Sequence, residues 1–312
     1  MVTTTTATAN FSALVQAMIA ARAEEELRSS LIHVYPGNYT PGTFIKGTNL
    51  IKFGRYADLT ISITALSEGV APTTQALNID SQSFSATQFG GTATLSDLAE
   101  YESPHNLLAI AAERIARQAV VTLDTLVANI LAAGTSVLYV TGTARSSQAS
   151  TNILTGAIIK KMAAQLEANN VPRFADGYYR ALVHPYVKYD LETDTAAGGW
   201  MDANKYTNSM PLLAGELGNY AGVRFMVSSA AKSFITAGVS SANVYSTYFF
   251  GPDSYCVADL QGLKAYYVPA GGDHSDPLAQ TSIVGWKLAT GAALIDKAGP
   301  RYIRLESGAT IG

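Results

Sequence analysis

The longest regular pattern in the chain is a run of apolar residues that recur at three- or four-residue steps between residues 104 and 133. Between Pro104 and Gly134 the chain contains no Gly or Pro. Pro is common in the first turn of a helix and Gly just after its end, and Ser103 can cap the start. The pattern predicts one helix, about 45 Å long at about 1.5 Å per residue. Its predicted buried face consists of Leu108, Ala112, Ile115, Ala119, Leu126 and Ile130, and the residues off this face are Glu113, Arg117, Asp124 and Asn129.

The sequence before this helix has a period of two residues instead. Residues 59–65 alternate apolar and hydroxyl side chains, which predicts a strand with one apolar face. Residues 43–53 are its predicted partner across a turn, and residues 77–91 are also extended and polar. A hairpin with so few large apolar residues is only marginally stable in water. Residues 36–91 are therefore predicted to form a projecting arm that needs another surface to lie on.

The rest of the chain predicts a mixed architecture. Amphipathic spacing predicts helices at residues 11–29 and 152–169. Residues 1–10 are mostly Thr and Ala and are predicted to form a flexible arm. Beyond residue 175, short apolar strands alternate with one or two short helices, and no repeat of 20 to 50 residues occurs. The predicted class is α+β, without a clean linker between independent domains.

Composition favours a chain that associates. Charged residues make up 14% of its 312 residues, against about 25% in a typical protein, and the net charge is only −3. Seventeen tyrosines suit interfaces, although a large Tyr-rich core would explain them too. The slightly acidic balance argues against a dedicated nucleic-acid reader. No stretch suggests a signal peptide or a membrane span, and the single cysteine, Cys256, excludes an internal disulfide.

Motifs for catalysis are scarce. The chain has no G-x-S-x-G, P-loop, G-x-G-x-x-G or H-E-x-x-H motif. Four histidines, His33, His105, His184 and His274, lie in four separate segments, so no helix face presents two imidazoles to a metal. A structural role is the favoured interpretation for each histidine and for Cys256.

The best enzyme candidate is the segment "GGDHSDP". In it, His274 lies between Asp273 and Asp276, and an aspartate can orient a histidine as a base. Clustered Gly, Asp, Ser and Pro are equally typical of a surface turn. A hydrolase that uses His274 with Asp273 or Asp276 is therefore kept as an alternative.

The order of features, however, resembles a known family. From about residue 40 to 306, the chain is similar to the major capsid proteins of tailed double-stranded DNA bacteriophages with the Hong Kong 97 fold, in particular the branch typified by coliphage N-four. The segments that carry this resemblance are "FIKGTNLIKFGRYADL", "ALSEGVAPTTQAL", "ATQFGGTATLSDLAEYESPHNLLAIAAERIARQAVVTLDTLVANIL", "GELGNYAGVRFMVSS" and "DPLAQTSIVGWKLATGAALID".

The resemblance implies a division of the chain and a set of contact residues. The long helix would be the spine helix, and the tip of the axial domain would lie around five- and six-fold axes. The expected parts are an N-terminal arm (1–35), an extended loop (36–91), a peripheral domain (92–174 and 281–312, with the spine helix at about 104–133) and an axial domain (175–280). The expected intersubunit contacts are Phe44, Lys46, Phe53, Arg55, Tyr56, Leu59, Ile61, Ile63 and Glu68.

The implied role is assembly, with no catalytic, cofactor-binding or metal-binding residue. Copies would form pentamers and hexamers of an icosahedral head enclosing double-stranded DNA, with a portal protein at one vertex and room for a decoration protein. The chain lacks a long helical N-terminal extension, so a separate scaffolding protein is expected. Assembly would occur in the host bacterial cytoplasm, contact with DNA would be non-specific, and no membrane would be involved.

Two further alternatives remain open beside the hydrolase. An encapsulin-like nanocompartment would keep the fold and hold enzyme cargo instead of DNA. A surface-layer or adhesion protein would also associate extensively, although the start of the chain does not resemble a signal peptide.

Overall fold

The computed structural model describes residues 16–21, 33, 38–39, 50–56, 59–63, 65, 68–69, 74–77, 79–194, 216–271, 276, 278–295 and 301–311. Within these ranges the chain has the predicted mixed composition of helices and strands, arranged as one four-stranded sheet, one seven-stranded sheet and one two-stranded ribbon.

The long predicted helix is present, but it begins later than predicted. Helix α2 spans Asp97–Glu102, and helix α3 spans Leu107–Ala132. The prediction that Ser103 caps α3 is wrong, because Ser103 ends α2 in an extended conformation, which the following Pro104 favours. Asn106 caps α3 instead, and its side-chain oxygen accepts the Ala109 N–H at 3.1 Å.

The face of α3 that packs on the protein is close to the predicted one. Ala112, Ile115 and Ala119 are buried as expected, whereas Leu108, Leu126 and Ile130 are only partly buried. Asp124 is buried, so its placement off the buried face was wrong. By length and composition alone, α3 could cross a membrane. The expectation that the chain has no apolar stretch of this length was therefore wrong. The burial of α3 against a sheet explains its composition.

The four-stranded sheet packs one face on α3. Its order is β1 (Asn38–Tyr39), β11 (Tyr255–Val268), β12 (Thr281–Leu294) and β4 (Thr87–Ser96). Strands β11, β12 and β4 are antiparallel neighbours, and β1 joins the start of β11 in parallel. Alternate residues of β12, namely Val284, Trp286 and Leu288, point at α3 and share its core cluster.

The seven-stranded sheet has a second core on one face. Helices α4 (Gly156–Ala168) and α5 (Pro185–Glu192) contribute Ile159, Met162 and Val187 to that core. Helix α4 lies inside the predicted range of 152–169. The strands are β5 (Val137–Tyr139), β13 (Tyr302–Ser307), β10 (Val244–Phe250), β6 (Tyr179–Val183), β8 (Val223–Val227) and β7 (Glu216–Tyr220), in that order, with β9 (Ser233–Phe234) added to β10.

The boundary predicted between the axial and peripheral domains, at residues 280 and 281, does not separate the two sheets. Strand β11 lies before that boundary yet pairs with β12 after it, in the sheet that packs on α3. Strand β13 lies after the boundary yet pairs with β10 in the seven-stranded sheet. Among the described elements the chain therefore passes between the two sheets three times: after Ser96 by way of α2 and α3, after Phe250, and after Leu294.

The predicted hairpin exists, but its strands pair differently. Strand β2 (Leu50–Tyr56) pairs antiparallel with β3 (Ile79–Ser85), and residues 59–63 are not in a strand. The predicted pairing of 43–53 with the 59–65 segment is therefore wrong where it can be compared, since the turn lies further out. Residues 43–49 lie outside the described residues. Of the helix predicted over residues 11–29, the structure describes residues 16–21, which are helical (α1) and bury Ile19 in the α3 core.

Candidate assembly surface

The outer part of the hairpin carries apolar side chains in the open. Leu59, Ile61, Ile63 and Leu77 are 55, 84, 91 and 62% exposed. A single exposed apolar residue is ordinary, but four on one narrow ribbon form a patch of the kind that marks an interaction site. We call this segment, residues 59–63 and 74–77, the hairpin tip.

The two limbs of the tip are joined by one side chain. The Gln75 side-chain oxygen accepts the Thr60 N–H at 2.8 Å, and the Gln75 amide donates to the Thr60 carbonyl at 2.9 Å. These two hydrogen bonds resemble those between paired strands, but one side is provided by a side chain. They hold the two limbs of the tip side by side, although neither limb is part of a strand.

The base of the hairpin is anchored on the four-stranded sheet, on the face opposite α3. Ile51 is 1% exposed and packs with Cys256 and Ala258 of β11. A Cβ atom at Gly291 of β12 would lie 2.8 Å from the Ser85 carbonyl oxygen, so only glycine lets the hairpin approach this closely. Anchored base and exposed tip are what a contact arm requires.

The same outer face of the sheet carries a groove of about 650 Å³. Gly90 and Gly285 present no side chains on this face, which opens the floor of the groove. Tyr266 and Lys287 stand at its sides, and the remaining lining residues are Gln88, Phe89, Thr92, Val268, Ile283 and Trp286. A shallow, largely apolar trough of this kind suits an extended chain segment more than a compact small molecule.

The predicted contact residues fall into three groups. Leu59, Ile61, Ile63 and Glu68 are exposed. Phe53, Arg55 and Tyr56 lie in the part of strand β2 whose side chains are not described, and Phe44 and Lys46 lie outside the described residues. Their contact role stays a prediction.

The segment proposed for acid–base chemistry is only partly described. Asp276 accepts the Thr281 N–H at 2.6 Å and the Thr281 hydroxyl at 2.8 Å, and hydrogen bonds from the backbone around Gln280 hold the pKa of its carboxyl below the ordinary value. It therefore shapes the turn into β12. His274 and Asp273 lie outside the described residues, and among those described no three His, Cys, Asp or Glu side chains are grouped for a metal.

Comparison with known proteins decides the identity. A family described as "Phage capsid protein" matches residues 79–303. The chain belongs to this family. Family membership indicates a structural protein rather than an enzyme, and it places this capsid protein in the virion, where its copies form a shell. No curated protein sequence matches the chain.

Solved structures share the fold at low sequence identity. The capsid of Ralstonia phage GP4 is 16% identical, with 85% of this chain and 84% of that one covered and a TM-score of 0.67. The capsid of cyanophage Pam1 is 15% identical, with 85 and 86% covered and a TM-score of 0.68. A virus-like particle from Pyrococcus furiosus is 11% identical, with 95 and 99% covered and a TM-score of 0.52. The capsid protein thus has the Hong Kong 97-type fold, and the coliphage N-four branch stays a prediction.

His184 and Cys256 of the capsid protein have structural roles, whereas His105 is exposed. His184 caps α5, where its Nδ1 accepts the Tyr186 N–H at 3.2 Å, and burial lowers its pKa. Cys256 is fully buried in the cluster under the hairpin, and burial raises the pKa of its thiol to about 12, which favours the neutral thiol.

His33 joins the N-terminal region to helix α3. Its backbone N–H and its ring Nδ1 contact the two carboxylate oxygens of Asp124 at 2.9 and 2.7 Å, and Tyr255 donates its hydroxyl to the His33 carbonyl. His33 is completely buried. Sequence reasoning missed this pair, because helical periodicity placed Asp124 with the polar residues and gave His33 no partner.

A buried ion network in the seven-stranded sheet also escaped prediction. Both oxygens of Glu306, a fully buried residue, accept from the Arg145 guanidinium at 2.7 Å, and Arg304 Nε lies 3.2 Å from the same carboxylate. This hydrogen bonding raises the pKa of Arg145. The Arg145 guanidinium also lies 3.4 Å from the centre of the Phe234 ring. The only signal in the sequence is the charged pair within the apolar run "RYIRLE".

Proposed function

We propose that this capsid protein forms pentamers and hexamers that close an icosahedral phage head around double-stranded DNA. The observation that carries the proposal is the hairpin tip, whose apolar side chains are exposed in a chain of the phage capsid family. Their burial against another copy would contribute about 25 cal/mol for each Å² of apolar surface removed from water.

The groove on the outer face of the four-stranded sheet is the proposed receiving surface on the neighbouring copy. Leu59, Ile61 and Ile63 alternate along the outgoing limb of the tip, which is how an extended segment presents one apolar side. Glu68 near the tip and Lys287 at the side of the groove have complementary charge. The contact joins two different patches, so it need not be self-complementary and can repeat around a ring.

The three parts of the proposed subunit follow the sheets. The hairpin is the extended loop, the four-stranded sheet with α3 is the peripheral domain, and the seven-stranded sheet with α4 and α5 is the axial domain. Strand pairing supports moving β11 to the peripheral domain and β13 to the axial domain, relative to the division expected from the sequence.

A separate scaffolding protein, a portal protein at one vertex and a decoration protein complete the proposed set of partners. An exposed apolar tip on an unassembled chain invites irregular association, so a scaffold that covers or directs it during assembly in the bacterial cytoplasm is expected. With a net charge of −3, the chain would make few phosphate contacts, and its contact with DNA would be non-specific.

Particle formation tests the proposal. The chain is expressed alone and together with the other head proteins of its phage, and the products are measured by sedimentation and negative-stain microscopy. We expect uniform shells only in the second case. A stable monomer or small oligomer of 32.9 kDa subunits in both cases would refute the shell, and uniform shells from the chain alone would refute the need for a scaffold.

The contents of the particle separate a phage head from an encapsulin-like compartment. Nuclease-resistant double-stranded DNA in particles from infected cells is expected for the head. Particles that instead hold a co-purifying enzyme and no protected DNA would support the compartment.

A further inference from the structure

The C-terminal end of helix α3 is only partly capped by its own chain: the Ala133 N–H donates to the Asn129 and Ile130 carbonyls, and the Gly134 N–H makes a long bond of 3.4 Å to the Leu131 carbonyl. Helix α3 ends at Ala132 with Ala133 in the C-cap position, and its last turn contains no basic residue. The last carbonyls of a helix carry partial negative charge and need donors, which Lys, Arg or Gly near the end usually provide. Gly134 does not supply an end with positive φ; a Cβ there would lie 2.6 Å from the Tyr302 ring.

Strand β13 of the other sheet provides further donors. The Tyr302 hydroxyl donates to the Leu131 carbonyl, and the Arg304 guanidinium donates to the Ala132 carbonyl. The backbone N–H of Arg304 also donates to the Ser136 carbonyl at 2.9 Å, just beyond the helix. The end of the spine helix is therefore held by residues about 170 positions further along the chain, a separation at which local helix signals carry no information.

Arg304 is at the same time part of the buried ion network. Its Nε lies 3.2 Å from Glu306, which is fully buried and paired with Arg145. The two arginines carry one charge more than the single carboxylate neutralises. The partial negative charge of the helix end is thus the second electrostatic partner of Arg304.

A second set of partners for Arg304 lies on the same face of the sheet. Tyr248 is directly opposite Arg304 in the β10–β13 ladder, and Ser246 is directly opposite Glu306. Within the described part of the chain, the buried hydroxyls of Tyr248 and Ser246 lie within reach of each other, and that of Tyr248 also lies near the Lys232 backbone, but neither hydroxyl has a hydrogen-bond partner of good geometry, nor has Arg304 Nε. Buried polar groups are nearly always satisfied, so hydroxyls with spare acceptor capacity beside a buried guanidinium need an explanation.

We propose that Arg304 is a releasable latch between the spine helix and the seven-stranded sheet. In the closed arrangement Arg304 holds the Ala132 carbonyl, as the structure shows. In the open arrangement it turns along the sheet and bonds the Tyr248 and Ser246 hydroxyls, while Glu306 keeps its pair with Arg145. The helix end is then free to change its angle to the sheet.

The latch has a use if the proposed shell exists, and this consequence alone rests on the proposed function. Subunits in pentamers and hexamers meet at different angles, and two discrete arrangements of one buried network accommodate such a difference without disrupting either core. The latch itself belongs to the single chain, so it can be tested before any shell has formed.

Native-state hydrogen exchange on the unassembled full-length chain provides the test. The amides of residues 129–133 exchange when the helix end opens, and those of residues 115–120 report the middle of the same helix. Tyr248→Phe removes the hydroxyl oxygen that accepts from Arg304 only in the open arrangement. We expect it to slow exchange at residues 129–133 by about fivefold relative to residues 115–120, the equivalent of one neutral hydrogen bond. Ser246→Ala is expected to act in the same direction.

Two further variants complete the test. Tyr302→Phe removes a donor of the closed arrangement and is expected to speed exchange at residues 129–133. Tyr245→Phe is the matched control, because Tyr245 lies on the opposite face of β10 in the second core, and it should leave the ratio unchanged. If Tyr248→Phe and Ser246→Ala leave the exchange ratio unchanged or raise it, Arg304 is a fixed structural contact and the latch is refuted. Particle formation does not enter this result, so failure of the shell proposal would be recognised separately.

Discussion

His33 and Asp124 are 91 residues apart, yet the carboxylate of Asp124 receives both the backbone N–H and the ring of His33 inside the protein. This pair joins the N-terminal region to helix α3. Both residues are nearly inaccessible, at 0 and 4% exposure, so water cannot replace either bond if the other residue is changed.

Replacement of Asp124 by Ala should therefore destabilise the chain. The buried N–H of His33 would lose its acceptor, and we expect a loss of about 1–3 kcal/mol in the free energy of unfolding. Thr125→Ala, one position further on the exposed side of α3, is the control and should cost little. Urea denaturation of the unassembled chain measures both, and equal stability of the two variants would show that the pair contributes nothing.

Glu306→Gln should be more damaging than any exposed charge substitution. It leaves Arg145 and Arg304 close together without a counter-charge, and breaking a buried ion pair in this way costs about 3 kcal/mol or more. Glu192→Gln is the matched control, since Glu192 pairs with Lys188 at 3.6 Å on the surface of α5 and should contribute about 0.5 kcal/mol or less. Chemical denaturation that gives both variants similar midpoints would contradict this ranking.

The pH dependence of stability should contain a contribution from His184. Burial lowers its pKa below the ordinary value of 6.5, so between the two pKa values the unfolded chain binds more protons than the folded chain. The contribution is therefore fully present above pH 6.5 and is lost as the pH falls through the folded-state pKa. Protonation would also remove the Nδ1 acceptor that caps α5.

His184→Asn isolates this contribution, because Asn caps helices well and does not titrate. Unfolding free energies of both proteins are compared between about pH 7.5 and about pH 5, the range in which histidine changes charge. The variant should lose less stability on acidification than the wild-type chain. A parallel pH dependence of the two proteins would exclude His184 as a source.

Charge at the hairpin tip should prevent assembly without affecting the fold. Ile61→Asp and Ile63→Asp place a carboxylate where the proposed contact buries an apolar side chain, so we expect shells to be lost. The unfolding free energy of the subunit should change by less than about 0.5 kcal/mol, because both positions are exposed. Ser62→Asp adds the same charge on the other side of the same segment and should assemble. If microscopy shows that the Ile variants form normal shells, the tip is not part of the interface.

Hydrogen exchange should detect the burial of the tip in the shell. In the free chain, residues 59–63 and 74–77 are joined by one side chain and are exposed, so their amides should exchange quickly. In the shell we expect protection to rise by at least about tenfold, whereas residues 115–120 in the α3 core should change little. Equal protection of the tip in both states would contradict the proposed contact.

Local patterns in the sequence were sufficient for helix α3, for the apolar tip and for the family. Helix α3 was predictable because a run without Gly or Pro, with apolar residues at three- and four-residue steps, has one stable conformation against a core. The apolar tip was predictable too, because Ile61 and Ile63 alternate with hydroxyl residues in a hairpin that has little apolar surface of its own. Ordered family segments then indicated the capsid fold.

Only the tertiary structure decided which distant residues meet. A period of two identifies a strand but not its neighbour, so β3 as the partner of β2, and the sheets joined by β11 and β13, could not be derived from alternation. Likewise, helical periodicity separates apolar from polar residues and therefore assigns a charged residue to the surface. Asp124, Arg304 and Glu306 are buried because their partners come from positions 91 to 172 residues away, and that pairing, rather than their local pattern, offsets the cost of removing them from water.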